Sequence, residues 1–131
     1  MAANNTTSPG YEYWGATGST FATGGGIYHV QGDVEADKKP SGLSTNFALY
    51  WDGNLFQELQ DDTSITKYNE NTGKVYPLKS FAGVHSNNGT NATPTLQADI
   101  LGDWREEVLL PTTDDTELFS TPPRLTTDCI P

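Results

Sequence analysis

The sequence is short of cysteine, of basic residues and of long apolar runs. Cys129 is the only cysteine in 131 residues, so the chain builds neither an internal disulfide nor a thiolate zinc cluster. Lys and Arg number 7 against 17 Asp and Glu, a formal charge of −10. Affinity for nucleic acid rests on neutralising phosphates, and this balance excludes nucleic acid as a partner. It also opposes unaided binding of any acidic polymer, so an anionic substrate needs metal ions or a local basic spot to reverse the field. No apolar run reaches the length that spans a bilayer, and no membrane partner is expected. The start, Met1-Ala2-Ala3-Asn4-Asn5-Thr6-Thr7, has neither the basic flank nor the apolar stretch of a secretion signal. Apolar residues make up 34% and the mean hydropathy is −0.55. A chain of this length ordinarily buries roughly two-thirds of its unfolded surface. With so thin a core, this one is either loop-rich and closely tied or part of something larger.

What is present is a series of short β-type segments separated by turn residues. Residues 1–9 are polar and unpatterned and are expected as a disordered leader, with one unit over 10–131. Tyr11-Glu12-Tyr13-Trp14 alternates in the period of a half-buried strand, residues 15–26 are a Gly/Thr-rich connector, and Ile27-Tyr28-His29-Val30-Gln31 is a second strand. Residues 33–44 read as an exposed loop. Residues 46–51 and 54–59 are separated by Asp52-Gly53, a pair suited to a type I′ turn, which predicts a tight β-hairpin. Short strands follow at 65–68, 74–76, 106–110 and 117–120, and no segment has a helical pattern. Repeated short strands without helices place the chain among all-β antiparallel folds, as a small sandwich or as propeller blades.

Two stretches carry candidate chemistry. In residues 98–110 the acids Asp99, Asp103 and Glu107 recur at every fourth position on a loop containing Gly102 and running into an apolar strand. That spacing supplies oxygen ligands to a hard cation such as calcium. The alternative is an ordinary turn whose Asp side chains bond nearby backbone N–H groups. The second stretch is Ser86-Asn87-Asn88-Gly89-Thr90-Asn91-Ala92-Thr93-Pro94, either a plain surface loop or a polar site loop whose amides suit sugar hydroxyls. It contains two N-glycosylation patterns, at Asn88 and Asn91. His85 is a solvated loop residue or a base, and His29 has a packing or surface role. Arg105 pairs within its acidic loop. Trp14, Trp51 and Trp104 fill gaps between sheets or stack sugars. No catalytic residue is identified.

Residues 46–59, then Ser86-Asn87-Asn88-Gly89-Thr90, then residues 98–108 resemble, in that order, three motifs of the family 11 polysaccharide lyases, which are rhamnogalacturonan lyases. Gly10-Tyr11-Glu12-Tyr13-Trp14, Gly26-Ile27-Tyr28 and Thr126-Thr127-Asp128 are similar to the family's flanking segments. The resemblance implies an eight-bladed β-propeller, of which this loop-rich all-β chain would be about two C-terminal blades, needing the remaining blades. It implies calcium as cofactor, held by the side chains of Asp99, Asp103 and Glu107 with the carbonyls of Leu101 and Arg105. It implies substrate contact at Asn88, Gly89, Thr90 and Asn91, although the family carries a Lys where this chain has Asn91. The implied activity is β-elimination on the rhamnogalacturonan I backbone of pectin by a secreted, extracellular enzyme, with the fragment inactive alone. The competing reading is a non-catalytic, calcium-dependent structural or carbohydrate-binding module.

Overall fold

Three antiparallel sheets follow one another along the chain. The structure, a computed structural model, describes residues 1–15 and 25–121. Sheet 1 comprises β1 (Ala2–Ala3), β2 (Glu12–Tyr13), β3 (Ile27–His29) and β4 (Val34–Ala36). Sheet 2 comprises β5 (Phe47–Leu49), β6 (Glu58–Asp61), β7 (Ser64–Asn69) and β8 (Lys74–Ser80). Sheet 3 comprises β9 (Leu96–Ala98), β10 (Glu107–Pro111) and β11 (Leu118–Thr121), with β10 central. Strands that neighbour in sequence neighbour in each sheet, so every sheet is a plain meander. Among the described residues the only helical element is a 3₁₀ turn, Gly89–Asn91. Strand β8 tolerates Pro77 because it is the edge of sheet 2, and Lys74 and Lys79 there discourage further pairing.

The core lies between consecutive sheets. Ala3, Trp14, Ile27, Leu43, Leu59 and Tyr68 form one buried cluster between sheets 1 and 2. Leu49, Trp51, Ile65, Phe81, Val84, Val108 and Leu110 form the second, between sheets 2 and 3. Alternation along the strands produces this arrangement: Leu59 of β6 faces sheet 1 while Leu49 of β5 faces sheet 3. Sheet 2 is thus sandwiched between sheets 1 and 3, which is how a chain with few apolar residues still obtains a dry interior. Trp14 and Trp51 fill these gaps, Trp14 donating its indole N–H to the Ser44 carbonyl at 2.8 Å.

One device recurs in all three sheets. The second strand of each begins with a buried glutamate: Glu12, Glu58 and Glu107. Each accepts the backbone N–H of the residue seven positions earlier, Asn5 at 2.7 Å, Trp51 at 2.8 Å and Ile100 at 2.7 Å. Glu58 and Glu107 also take the next amide, of Asp52 and Leu101, and Glu12 takes the Thr6 hydroxyl. The residue across on the third strand lies against the carboxylate in two of the three cases, and in sheet 2 it is a lysine. Lys67 Nζ lies 2.5 Å from Glu58 and 2.5 Å from Asp52, and His29 Nδ1 lies 3.3 Å from Glu12. A carboxylate buried to this depth is tolerated because it accepts hydrogen bonds, from backbone amides in all three sheets and also from the Lys67 ammonium in sheet 2. The three sheets are copies of one structural repeat.

Four expectations are corrected. Residues 1–9, expected as a disordered leader, contain β1, paired with β2, and Asn5 and Thr6 are buried because Glu12 gathers their N–H and O–H groups. The expected loop 33–44 includes β4, and Leu43 and Ser44 are buried. The tight hairpin at Asp52-Gly53 is absent: β5 and β6 pair Phe47 with Gln60 and Leu49 with Glu58, joined by a long loop over 50–57. Glu58 draws the amides of Trp51 and Asp52 inward, and Asp52 then caps Asn54 while Asn54 caps Phe56, so successive side-chain turns replace the I′ turn. The described residues form three sheets rather than about two. Most of the expected connector and the segment after Thr121, with Cys129 and the terminal prolines, lie outside the described residues.

Candidate functional site

Strand direction sorts the candidate residues onto two ends of the stack. Strand β10 runs from the acidic loop 99–106 towards the turn at 112–117, and its partner β9 enters from the 81–95 connection and leaves into the acidic loop. The 88–91 turn and the 99–107 loop are therefore at opposite ends of sheet 3.

The 88–91 end is built from three turns. The connection after β8 is pinned by Val84 bridging Thr112 and by Asn87 and Thr93 exchanging both backbone hydrogen bonds, at 2.7 and 2.9 Å. This bracket forces a tight loop in which Asn88 (φ 62) and Ala92 (φ 48) take the left-handed conformation on either side of the 3₁₀ turn. Buried Ala92 anchors the loop, and Asn88, Gly89, Thr90 and Asn91 project into solvent. Asn88 Nδ2 donates to Thr93 Oγ1 at 3.2 Å, leaving its carbonyl oxygen free. The Thr90 hydroxyl and the Asn91 side-chain amide have no partner among the described residues. Ser86 donates to Asp62 of the β6–β7 turn at 2.6 Å. The result is a rim of free amide and hydroxyl groups, suited chemically to sugar hydroxyls.

His85, next to this rim, holds the end together electrostatically. Its Nδ1–H donates to the Ser86 carbonyl at 2.8 Å, and Nε2 lies 2.7 Å from Asp115 Oδ1 in the β10–β11 turn. A carbonyl and a carboxylate both only accept, so making both contacts requires the doubly protonated ring. The hydrogen bond to Ser86 and that to Asp115 raise the His85 pKa above the ordinary histidine value. A group whose folded pKa is raised contributes stability below its unfolded pKa, near 6.5, and loses it as pH rises through the folded value. An NMR titration should therefore find His85 titrating above that value, and Asp115→Asn should lower its midpoint. In the same turn Asp114 accepts from the Thr112 and Thr116 hydroxyls, which lower its pKa to about 2.

The 99–107 end does not assemble the expected calcium ligands. Asp99 turns back on its own loop and accepts the amides of Gly102, Asp103 and Trp104 at 2.6, 3.0 and 2.9 Å. Asp103 is paired with Arg105, which lowers the Asp103 pKa. Glu107 is buried away from both, on the Ile100 and Leu101 amides. Among the described residues no group of three or more His, Cys, Asp or Glu side chains is arranged to hold a metal ion. The side chains of Asp99, Asp103 and Glu107 here hold separate partners, as in the side-chain-capped turn that their spacing also allows, and no chemical step is routed through calcium. Arg105 pairs within the loop as expected, and half-exposed Trp104 packs edge-on to Tyr50, with ring centroids 6.4 Å apart.

A family model for the C-terminal domain of rhamnogalacturonan lyase family 11 matches residues 1–129. The chain belongs to rhamnogalacturonan lyase family 11. It is 42% identical over 110 residues to the rhamnogalacturonan endolyase YesW of Bacillus subtilis (strain 168), covering 84% of this chain and 16% of that protein. It is 41% identical over 113 residues to the exolyase YesX of the same organism, covering 79% of this chain and 18% of the relative. The crystal structure of YesW superposes with a TM-score of 0.84 at 38% identity, over 98% of this chain and 21% of YesW. The solved structure of Bacillus licheniformis rhamnogalacturonan lyase PL11 superposes with a TM-score of 0.81 at 37% identity, over 97% of this chain and 21% of the other. This family 11 domain thus spans about a fifth of the proteins it resembles. Sequence reasoning missed the Glu12, Glu58 and Glu107 repeat; its only trace in the sequence is a glutamate opening each second strand.

Proposed function

We propose that the domain is one part of a rhamnogalacturonan lyase that cleaves the rhamnogalacturonan I backbone by β-elimination, and that its three stacked sheets are successive blades of a larger β-propeller. The observation that carries this reading is the exposed Asn88-Gly89-Thr90 rim of unpaired donors and acceptors at one end of the stack, in a chain of this family. In β-elimination a base removes the proton beside the uronate carboxylate and the glycosidic oxygen departs from the adjacent carbon, leaving an unsaturated uronate. The rim would position sugar hydroxyls, and the His85 imidazolium supplies a positive group three residues before Asn88, where the turn itself ends in Asn91 and not the family's Lys. The base and further cations come from the rest of the enzyme. A polymer of this size does not cross a membrane, so the reaction runs outside the cell.

The test is to digest rhamnogalacturonan I with the full-length protein carrying this domain and to record the ultraviolet spectrum of the products. Fragments with the absorbance of an unsaturated uronate are expected. Binding without any such product would replace the lyase by a carbohydrate-binding module, the reading favoured by Asn91.

A further inference from the structure

In a chain with a formal charge of −10, most of the 7 basic residues are engaged within the fold. Lys67 is buried on Glu58 and Asp52, Arg105 pairs with Asp103, and Lys39 donates to the Leu43 carbonyl at 3.3 Å. Lys38 stands next to Asp37 on an exposed loop, and Arg124 lies outside the described residues. That leaves Lys74 and Lys79, both exposed, both on strand β8, and neither in an ion pair among the described residues.

The register of β8 puts these two lysines on one face. Lys74 pairs with Asn69, Tyr76 with Lys67 and Lys79 with Ile65, three alternate positions of β7, and Ile65 belongs to the core shared with sheet 3. Strict alternation would send Lys74 and Lys79, an odd number of residues apart, to opposite faces. The bulge at Ile65/Thr66, where Lys79 and Pro77 become the partners of adjacent residues, returns Lys79 to the face of Lys74 and Tyr76. That face looks towards sheet 3 and stays open with sheet 3 in place. Tyr76 is 39% exposed, and Phe119 of the outer strand β11, on the Leu110 face by its pairing, is 43% exposed. Phe119 also packs on Phe81, just past the end of β8, with ring centroids 6.1 Å apart. Two ammonium groups and two aromatic rings therefore lie along the outer edge of the stack. Strand β8 runs towards the β6–β7 turn, where Ser86 donates to Asp62, so Lys79 lies at the Asn88 end.

We propose that Lys74, Tyr76 and Lys79, with Phe119 opposite, form an accessory binding strip for an acidic polysaccharide, holding the stretch of polymer that extends beyond the Asn88 rim. The strip is the local basic spot that an acidic chain needs if it is to hold an anionic polymer. Its ammonium groups meet uronate carboxylates, and its rings take the apolar faces of the sugars. An exposed ion pair contributes little alone. A polymer already held at the rim, however, meets the strip at high effective concentration, so weak contacts add to polymer affinity. A short oligosaccharide that fills only the rim gains nothing from it. The identity of the polymer, rhamnogalacturonan I with its alternating galacturonates, rests on the lyase reading.

The test uses the full-length protein and two double variants. Lys74→Glu/Lys79→Glu keeps a charged edge against strand pairing but reverses the local field, whereas Lys74→Arg/Lys79→Arg keeps the charge. Affinity is read by retardation in gels containing rhamnogalacturonan I, and KM from ultraviolet absorbance on the polymer and on a short rhamnogalacturonan oligosaccharide. The Glu variant should bind polymer about three- to tenfold more weakly, with KM on polymer raised and KM on the oligosaccharide within about twofold. The Arg variant should match the unsubstituted protein. Tyr76→Thr, which keeps a strand-forming side chain, should weaken polymer binding about threefold, and it tests the strip even if the Glu variant does not fold. Unchanged polymer affinity in the folded Glu variant, or in Tyr76→Thr, overturns the proposal. An equal loss on polymer and oligosaccharide does so too, because it marks a general field effect. Lysine-dependent retardation without unsaturated product would sink the lyase reading and leave the strip; unsaturated product with lysine-independent retardation would do the reverse.

Discussion

Replacing Lys67 by methionine should lower the stability of sheet 2 by about 3–5 kcal/mol, the usual cost of removing one partner from a buried ion pair. Lys67 lies on β7 directly across from Glu58, and its ammonium contacts both Glu58, which is fully buried, and Asp52. Burial pulls the Lys67 pKa down, but the hydrogen bonds it donates to Asp52 and Glu58 outweigh it and hold the ammonium charged. Burial raises the Glu58 pKa, and the neighbouring Asp52 carboxylate adds to the rise, against the lowering by Lys67. Methionine matches the aliphatic stem of lysine and leaves the fully buried Glu58 with no cation, only the Trp51 and Asp52 amides. The sign of the pH effect follows. A carboxylate whose folded pKa lies above its unfolded value contributes stability below the unfolded pKa, near 4.5, and loses it as pH rises through the folded value. The deficit of Lys67→Met should therefore be largest at neutral pH and shrink on acidification. Opening free energies from amide exchange at Ile65 and Tyr68 report it directly. A change below about 1 kcal/mol at neutral pH would show that the ammonium does not hold the sheet.

The strands that alternate cleanly were legible in the sequence. Ile65, Lys67 and Tyr68 on β7, the 106–110 run and the turn at 69–73 appear where the side-chain period and the glycine place them. The segments that misled are those where long-range contacts decide. Nothing within residues 1–9 predicts order, because their partners are Glu12 beyond them and Gln57 and Leu55 in the next sheet. Asp52-Gly53 has the composition of a hairpin turn, yet Glu58, reaching back six and seven residues, captures the amides that such a turn would have used. Local turn chemistry lost to a buried carboxylate.

The candidate site was legible in part. The spacing of Asp99, Asp103 and Glu107 fits both an ion loop and a capped turn, and only the side-chain directions separate them: Asp99 back onto amides, Asp103 onto Arg105, Glu107 into the core. The Asn88 turn and the acidic loop are close in sequence, but β9 carries the chain from one end of the sheet to the other. Family resemblance supplied the substrate class, which neither composition nor spacing contains. The role of His85 as a paired cation depends on Asp115, thirty residues on in the chain, and no local pattern announces it.

The separation of the two ends leads to the second large effect. Asn88 sits at φ 62, a conformation glycine adopts without strain, so Asn88→Gly removes the side-chain amide and leaves the turn intact. Losing a hydrogen bond to a sugar hydroxyl costs about 0.5–1.5 kcal/mol, or about 2- to 12-fold in kcat/KM. Asp103→Asn at the far end breaks only the pairing with Arg105 and should leave kcat/KM within about twofold. Measuring kcat/KM on rhamnogalacturonan I for these two variants of the full-length protein, followed by ultraviolet absorbance, tests directly whether the Asn88 end faces substrate. The account predicts a loss of about threefold or more for Asn88→Gly with Asp103→Asn unaffected; the opposite pattern, with Asp103→Asn impaired and Asn88→Gly unchanged, would contradict it.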